Sequence, residues 1–391
     1  MEGVLAMTHY VKMGRIPHKR HTQFRQEDGS LYYEQLMGTK GFSSIQSLIY
    51  HINQPTQVKK AQKIRDVRYE YEEKEALKHR HFRTWNTEVG GDFLESRKIF
   101  MANDDVALGV ACPNQQMNYF YRNGEGDEML FVHEGKGKIE SIFGELSFGP
   151  GDYLIIPIGT TYRVVLETEE ARFFILESNS SIVPPKRYRN EFGQLLEHSP
   201  YCERDFRTPE KLEPKDEKGE YEIRVRAQGM ITSYTYDFHP LDAVGWDGYL
   251  FPYAFSIHDF EPITGRVHQP PPVHQTFEAH NYVVCSFVPR MYDYHPEAIP
   301  APYVHSNVES DEVLYYVDGD FMSRRGIETG SITLHPSGLP HGPHPGKIEA
   351  SIGKKETREL AVMVDTFRPL YIVKEAHAIE DDAYMSSWLP K

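Results

Sequence analysis

A run of β-branched and aromatic residues follows two acidic residues in the segment 311–318, and this run predicts a β-strand. Counted from Glu312, Leu314 and Tyr316 fall on the same face, because successive side chains of a strand point to opposite sides. A second run of strand-forming residues, 331–334, ends at a turn rich in Gly and Pro. The pattern therefore indicates a pair of strands, with Glu312 near the start of the first and the turn after the second.

The same pattern occurs earlier in the chain and suggests an internal repeat. Residues 151–162, GDYLIIPIGTTY, align without a gap with residues 330–341, GSITLHPSGLPH. Residues 121–137 align in the same way with residues 305–321. Gly- and Pro-rich turns recur in all-β chains, so a chance match is the alternative. A true repeat predicts two small β-barrels on one chain.

The two copies differ at the positions whose side chains could bind a metal ion. Tyr121 stands where the second copy has His305, and Tyr162 stands where it has His341. Glu312, by contrast, keeps its residue type, because its counterpart in the first copy is Glu128. A lone carboxylate is a poor metal site, so we expect the first copy to be structural and the second to bind one metal ion per chain.

The second copy offers two imidazoles and one carboxylate in strand and turn contexts: His305, Glu312 and His341. Any one of 19 histidines is more often a surface residue than a ligand. Two histidines with one carboxylate, however, are the ligand set of non-haem ferrous enzymes, in which positions stay open for O₂ and substrate. The combination therefore predicts an Fe(II) site.

Composition narrows the class of protein. Aromatic residues make up 13 % of the 391 residues, which favours strands. The formal net charge of −14 argues against a nucleic acid as the main partner. The most charged stretches, 59–83 and 210–226, mix both signs and are typical of a solvated face or a linker.

No apolar run is long enough to span a membrane, and the first residues lack the pattern of a secretion signal. The three cysteines are far apart and odd in number, which argues against a disulfide framework or a CxxC zinc site. These features predict a cytoplasmic protein that has no membrane partner.

Several strings resemble the homogentisate 1,2-dioxygenase family of the cupin superfamily. They include PYVHSN (302–307), DEVLYYVDGDF (311–321) and, most specifically, SITLHPSGLPHGP (331–343). The resemblance implies an all-β bicupin: two antiparallel β-barrel (jelly-roll) units with a few short helices. We expect a metal-free N-terminal unit in residues 1–180, a charged connection in 181–235 and a catalytic unit in 236–391.

The resemblance also implies roles for individual residues. The family's ferrous ligands match His305, Glu312 and His341. The interval between the His and the Glu is one residue longer here, which makes Asp311 a rival to Glu312. A base is needed for the phenol proton, and His268 of RVHQPPPVHQTF (266–277) fits that task, with His274 as its competitor.

Two further residues are candidates for contact with a ligand or the substrate. His335 lies at a strand end six residues before His341, and Tyr303 shares a side of its strand with His305. A turn histidine and a packed tyrosine are the ordinary alternatives for these two. His344, beyond the turn, is expected to face solvent.

The resemblance implies an Fe(II)-dependent enzyme that converts homogentisate and O₂ to maleylacetoacetate in tyrosine and phenylalanine breakdown. Its partners would be a small aromatic substrate and O₂, and the family forms trimers or hexamers. The alternatives are a dioxygenase for gentisate, hydroquinone or another dihydroxyaromatic acid, a metal-dependent cupin isomerase, and a non-catalytic binding protein. The last would be expected to have lost the ligands of both copies.

Overall fold

The computed structural model describes residues 9–73, 76–319, 321 and 326–389. Its strands, in chain order, are β1 Val11–Gly14, β2 Tyr33–Gly38, β3 Gln46–His51, β4 Lys60–Asp66, β5 Arg80–Arg83, β6 Arg97–Ala102, β7 Val106–Ala111, β8 Phe120–Asn123, β9 Glu128–Glu134, β10 Gly137–Ser141, β11 Gly144–Phe148, β12 Asp152–Ile156, β13 Tyr162–Leu166, β14 Arg172–Ser178, β15 Phe206–Arg207, β16 Lys218–Ala227, β17 Met230–Phe238, β18 Ala243–Gly248, β19 Tyr253–Ser256, β20 Gln275–Ala279, β21 Tyr282–Phe287, β22 Arg290–Met291, β23 Asp311–Asp318, β24 Ser331–His335, β25 Glu356–Thr357, β26 Leu360–Thr366 and β27 Tyr371–Ile372. The α-helix α1 spans Lys347–Ser351, and short 3₁₀ turns span Thr84–Asn86, Lys186–Tyr188, Glu203–Asp205, Ile257–Asp259, Pro271–His274, Lys374–Ile379 and Tyr384–Trp388.

The strands form two barrels with the same topology. In the first barrel, part of an eight-stranded sheet has the order β12-β9-β14-β7-β6, and in the second a six-stranded sheet has the order β24-β23-β26-β21-β20. The neighbouring strands are antiparallel in both sheets. The repeat seen in the sequence is therefore a repeat of structure, and the fold is the predicted all-β bicupin.

The first barrel is closed by a second, seven-stranded sheet with the order β11-β10-β13-β8-β16-β17-β4. Between the two sheets lies a core built from alternate residues of the strands. Leu130, Ile175 and Leu154 enter this core from one sheet, and Ile139 and Val164 enter it from the other. Both sheets contribute fully buried side chains, so the first barrel has a packed interior.

The two barrels pack against each other through the opposite faces of their matching sheets. Phe174 of β14 stacks on Tyr315 of β23, with ring centroids 4.7 Å apart and an angle of 5° between the planes. The Tyr315 hydroxyl is hydrogen-bonded to His133 Nδ1 at 2.5 Å. Because alternate residues of β23 point the other way, Leu314 and Tyr316 are left to face the interior of the second barrel.

The second barrel is more open than the first. Opposite its six-stranded sheet lie the short pair β22–β25 and a two-residue bridge between His305 and His341. Long connections, 292–310 and 336–355, complete this side. A cavity therefore remains between the sheet and the connections, where the first barrel has a packed core.

Several strands pair with strands from another of the three predicted regions. The division at residues 180 and 235 remains a prediction. Residues 218–238, which span the end of the expected connection, form the hairpin β16–β17 that extends the seven-stranded sheet of the first barrel. The strands β18 and β19, beyond residue 236, also join sheets of the N-terminal half. In the other direction, β5 pairs with β24 of the second barrel.

The stretch 59–83 fits a solvated face only in its first part. The residues of β4 are exposed, but Arg80, His81 and Phe82 of β5 are buried at the edge of the second barrel's sheet. The charged flanks concealed this buried strand in the sequence. Among the described residues, no helix is long and apolar enough to cross a membrane.

The stacked contact between the barrels should be a main source of stability. Phe174→Ala should lower the free energy of unfolding by about 3–5 kcal/mol, because it leaves a cavity in a dry interface. Phe192→Ala is the matched control, since the Phe192 side chain is 85 % exposed and its loss should change stability by less than about 0.5 kcal/mol. Urea unfolding of both variants measures the difference, and equal effects would contradict the assigned role of this contact.

Candidate metal centre

Glu312 is placed by the register of β23. It lies directly opposite His335 of β24 on one side and Asp365 of β26 on the other. Directly opposed residues of antiparallel strands point to the same face, so the Glu312 carboxylate enters the second barrel. Only 6 % of the residue is exposed.

Two histidines face Glu312 from the bridge that closes the barrel. The backbone N–H of His305 donates to the His341 carbonyl at 2.9 Å, and the N–H of His341 donates to the His305 carbonyl at 2.8 Å. The two rings consequently lie side by side, with centroids 4.3 Å apart. Gly342 permits this close approach, because a Cβ there would lie 2.9 Å from Val304 Cα.

The orientation of each ring is fixed by its own backbone. His305 Nδ1 is 3.2 Å from the Tyr303 carbonyl oxygen, and His341 Nδ1 is 3.1 Å from the Leu339 carbonyl oxygen. A carbonyl can only accept, so Nδ1 of each ring is the donor and Nε2 carries the lone pair. This tautomer is the one that a metal-binding histidine needs when Nε2 is the ligand atom.

The three side chains converge on one point. His305 Nε2 lies 3.5 Å from Glu312 Oε2, and His341 Nε2 lies 3.4 Å from Glu312 Oε1. Ligand atoms about 2.0–2.2 Å from a first-row ion sit about 3 Å from one another. His341 Nε2 is also buried without a hydrogen bond of good geometry, which is unfavourable unless a cation fills the space. The donor set therefore fits a divalent metal, and His305, Glu312 and His341 could hold it.

Electrostatics keep the Glu312 carboxylate ionised. Burial by itself raises its pKa, but the three imidazoles around it, above all His335 with Nδ1 in hydrogen-bond contact, hold the pKa well below the usual range. The group is therefore available as an anionic ligand at neutral pH.

His335 holds Glu312 in position. Its Nδ1 lies 2.8 Å from Glu312 Oε1, and its Nε2 lies 3.1 Å from the Tyr384 hydroxyl. The ring is fully buried and stacks on His341, with centroids 4.6 Å apart. The structure thus places His335 against two candidate ligands, while the residues that line the cavity do not include it.

Asp311, the rival carboxylate, points away from this centre. Its Oδ1 accepts the N–H of Ser337 and its Oδ2 accepts the N–H of Leu370, each at 2.8 Å. The corresponding Asp127 of the first barrel accepts the N–H groups of Ile158 and Ile182 at 2.9 Å. The aspartate of each copy therefore accepts hydrogen bonds from the backbone of two connections, and the glutamate that follows it faces the barrel interior.

In the first barrel a guanidinium occupies the place of the cation. Arg97 Nη1 lies 2.5 Å from Glu128 Oε1 and 2.9 Å from Glu177 Oε1, and the Tyr162 hydroxyl donates to Glu128 Oε2 at 2.7 Å. Tyr162 pairs with Tyr121 across β13 and β8, as His341 pairs with His305. Glu128 is thus neutralised within the protein, which gives the predicted structural role a physical basis.

A cavity of about 340 Å³ opens beside the candidate centre, and His305 and Glu312 are among the residues that line it. His268 and Tyr303 lie on its wall with their rings edge to face and their centroids 4.9 Å apart. His268 Nδ1 is 4.0 Å from an oxygen of Asp293. Burial lowers the pKa of His268, and the charge of Asp293 partly offsets this effect. The ring is partly exposed, so it can meet a molecule in the cavity.

His274 lines the same cavity but differs in its surroundings. It is 5 % exposed, and its ring packs on Phe287 with centroids 4.6 Å apart. Burial, followed by the charge of Arg290, lowers its pKa to about 3. A base should have a pKa near the working pH, so His268 is better suited than His274.

The sequence showed no sign of several residues that contact the segment around His341 from distant parts of the chain. His79 Nε2 donates to the Pro340 carbonyl at 3.1 Å, next to His341. Trp388 stacks on His344 with centroids 4.2 Å apart. His344 is 1 % exposed, so the expectation that it faces solvent was wrong. No local pattern could have shown these contacts, because each joins segments that are at least 43 residues apart.

Comparisons with known proteins identify the family of this chain. The cupin 2 conserved barrel domain protein from Leptotrichia buccalis is 9 % identical and covers 78 % of this chain and 100 % of its own, with a TM-score of 0.32. A Saccharolobus solfataricus protein with the name "putative dioxygenase" is 40 % identical over 385 residues, which is 98 % of this chain and 99 % of that protein.

Homogentisate 1,2-dioxygenases of Nitrobacter hamburgensis and Bradyrhizobium diazoefficiens are 29 % and 27 % identical. Each alignment covers 69 % of this chain but 62 % of the relative. The family model described as homogentisate 1,2-dioxygenase N-terminal matches residues 13–257, which is more than half of the chain. The chain therefore belongs to the homogentisate 1,2-dioxygenase family.

Proposed function

We propose that this protein is a ferrous dioxygenase that opens the ring of homogentisate to give maleylacetoacetate, with both atoms of O₂ entering the product. One observation carries the proposal. The Nε2 atoms of His305 and His341 and the carboxylate of Glu312 converge, with all ligand atoms within 4.8 Å of one another, beside a cavity. The family membership supports a dioxygenase, and the named relatives support this aromatic acid.

The ligand set suits an anionic substrate. Two neutral imidazoles and one carboxylate would leave a ferrous site with a net charge of about +1, which favours a phenolate. A ferrous ion held there would supply open positions at which a phenolate oxygen and O₂ can meet and exchange electrons. The backbone carbonyls behind His305 and His341 keep both Nε2 lone pairs directed at that point.

His268 is the proposed base. An unperturbed phenol has a pKa near 10, so its proton must be removed when the substrate binds near neutral pH. The neutral ring of His268 lines the cavity and can accept that proton at a free nitrogen, and Asp293 lies close enough to stabilise the resulting charge. Tyr303, edge-on to His268, limits the directions in which this ring can turn.

The remaining walls suit a flat ring. Leu314 and Met363 come from β23 and β26, and Phe287 lies at the end of β21. These side chains are apolar, and they are held on strands that are hydrogen-bonded on both sides. An aromatic ring packed among them would be held rigidly and kept away from water, which favours reaction at one ring position.

Removing any one ligand should abolish iron binding. His305→Ala, Glu312→Ala and His341→Ala should each lower iron from about one ion per chain to nearly none, because a three-ligand ferrous site rarely survives with two. Elemental analysis of anaerobically purified protein measures this. The exposed His280→Ala is the matched control and should keep its iron. Retention of iron by Glu312→Ala would show that the ligand assignment is wrong.

Loss of the base should separate turnover from metal binding. His268→Asn should keep its iron and lower kcat by roughly 100-fold or more, the usual scale for a positioned general base. Oxygen uptake together with iron content distinguishes the two effects. If iron is lost with His268, the residue is a ligand, and if His274→Asn has the larger effect on kcat alone, the base is His274.

The ring specificity can be tested with three substrates. Homogentisate should exceed gentisate and hydroquinone in kcat/KM by at least about tenfold, which corresponds to about 1.4 kcal/mol of transition-state binding. Oxygen consumption by the iron-loaded protein measures the three rates. A clear preference for gentisate or hydroquinone would refute the proposed substrate while leaving the ferrous dioxygenase in place.

A further inference from the structure

Arg290 contributes a cation to the wall of the proposed active site. The residue begins β22 and is held in place by pairing with Thr357 of β25. Its side chain lines the same cavity as His305 and Glu312. Arg290 is half-buried and borders the cavity.

The guanidinium has little compensation within the protein. Nη1 lies 3.5 Å from the Val288 carbonyl oxygen, which is the limit of a hydrogen bond. Within the part of the chain that the structure describes, Arg290 forms no ion pair with a carboxylate at 4.0 Å or less, although Glu359 and Asp293 lie near enough to act on its charge. Burial lowers the pKa of this guanidinium, and the charges of Glu359 and Asp293 counteract that effect only in part.

A charge that is partly removed from water and lacks a carboxylate partner is unfavourable, and arginine stays protonated in proteins. Two arginines of the first barrel show one way to compensate such a charge. Arg97 and Arg226 are each paired with carboxylates, and both share Glu177. Arg290 differs because it borders an open cavity, where a ligand can bring the missing carboxylate.

The chemistry of the cavity defines that ligand. One end carries the candidate metal ligands, which suit a phenolate, and Leu314, Met363 and Phe287 make part of the wall apolar. Arg290 adds a planar fork of N–H donors whose geometry matches a carboxylate. A molecule that satisfies all three features has a hydroxylated ring and a carboxylate on a short side chain.

We propose that Arg290 binds the carboxylate of the substrate's side chain, so that the site selects ring acids over neutral rings. This inference rests on the proposed function, since it assigns a contact to the substrate of that same site. Arg290 is a binding residue and takes no part in proton transfer. Its loss should weaken the binding of acids and leave the binding of neutral rings unchanged.

The test uses two unreactive probes, phenylacetate and 2-phenylethanol, with the iron-loaded protein under argon. Calorimetry should show that the wild type binds phenylacetate at least tenfold more tightly than 2-phenylethanol, and that Arg290→Gln removes this preference. Arg290→Lys, which keeps the charge but not the fork, should retain part of it. Arg266→Gln is the matched control, because Arg266 is exposed and does not line the cavity.

Turnover gives a second measurement. Arg290→Gln should raise the KM for homogentisate at least tenfold and leave the KM for hydroquinone within about twofold of the wild type, since only the acid gains a charge-assisted hydrogen bond. Equal weakening of both probes, or unchanged phenylacetate binding in Arg290→Gln, would overturn the inference. If Arg290→Gln does not fold, equal affinity of the wild type for the two probes would overturn it.

The two proposals fail in different ways. Absence of oxygen uptake with homogentisate, together with Arg290-dependent binding of phenylacetate, would refute the proposed function and keep the carboxylate contact. Uptake with homogentisate, together with phenylacetate binding that does not depend on Arg290, would refute the contact and keep the function.

Discussion

The pair of backbone hydrogen bonds accepted by one aspartate in each barrel is the constraint on which the rest of the structure depends. Asp311 takes the N–H groups of Ser337 and Leu370, and so ties the start of β23 to the segments that follow β24 and β26. With these segments fixed, the neighbouring Glu312 can only point into the barrel. Asp127 makes the same connections in the first barrel. The same local arrangement therefore directs one glutamate into the interior of each barrel.

What the glutamate meets there differs between the barrels. In the first, Arg97 supplies a permanent positive charge, and tyrosines replace both imidazoles, so that nothing remains to bind an ion. In the second, the space between Glu312, His305 and His341 is lined by two Nε2 atoms that cannot neutralise a carboxylate unless they are protonated. The same fold thus carries an internal ion pair in one copy and a candidate metal centre in the other.

The two barrels also differ in the wall that lies opposite their matching sheets. The sheet of the second barrel is as regular as that of the first barrel, and it packs on that sheet through Phe174 and Tyr315. The opposite wall, however, is built from connections rather than from a full sheet. The first barrel therefore provides a rigid support, while the second leaves a cavity in which His268, Tyr303 and Arg290 meet.

The sequence by itself determined the repeat, the all-β fold and the three candidate ligands, because these depend on alternation and on turns that are local in the chain. Strand register also favoured Glu312, since Leu314 and Tyr316 mark its face. The sequence could not exclude Asp311 as a rival to Glu312, and it could not show that β5 joins a barrel far along the chain or that His344 is buried against Trp388. Nor could it show that Arg290 lies beside the candidate ligands. Those facts depend on contacts between segments distant in the chain, and only the packing of the two barrels decides which distant groups meet.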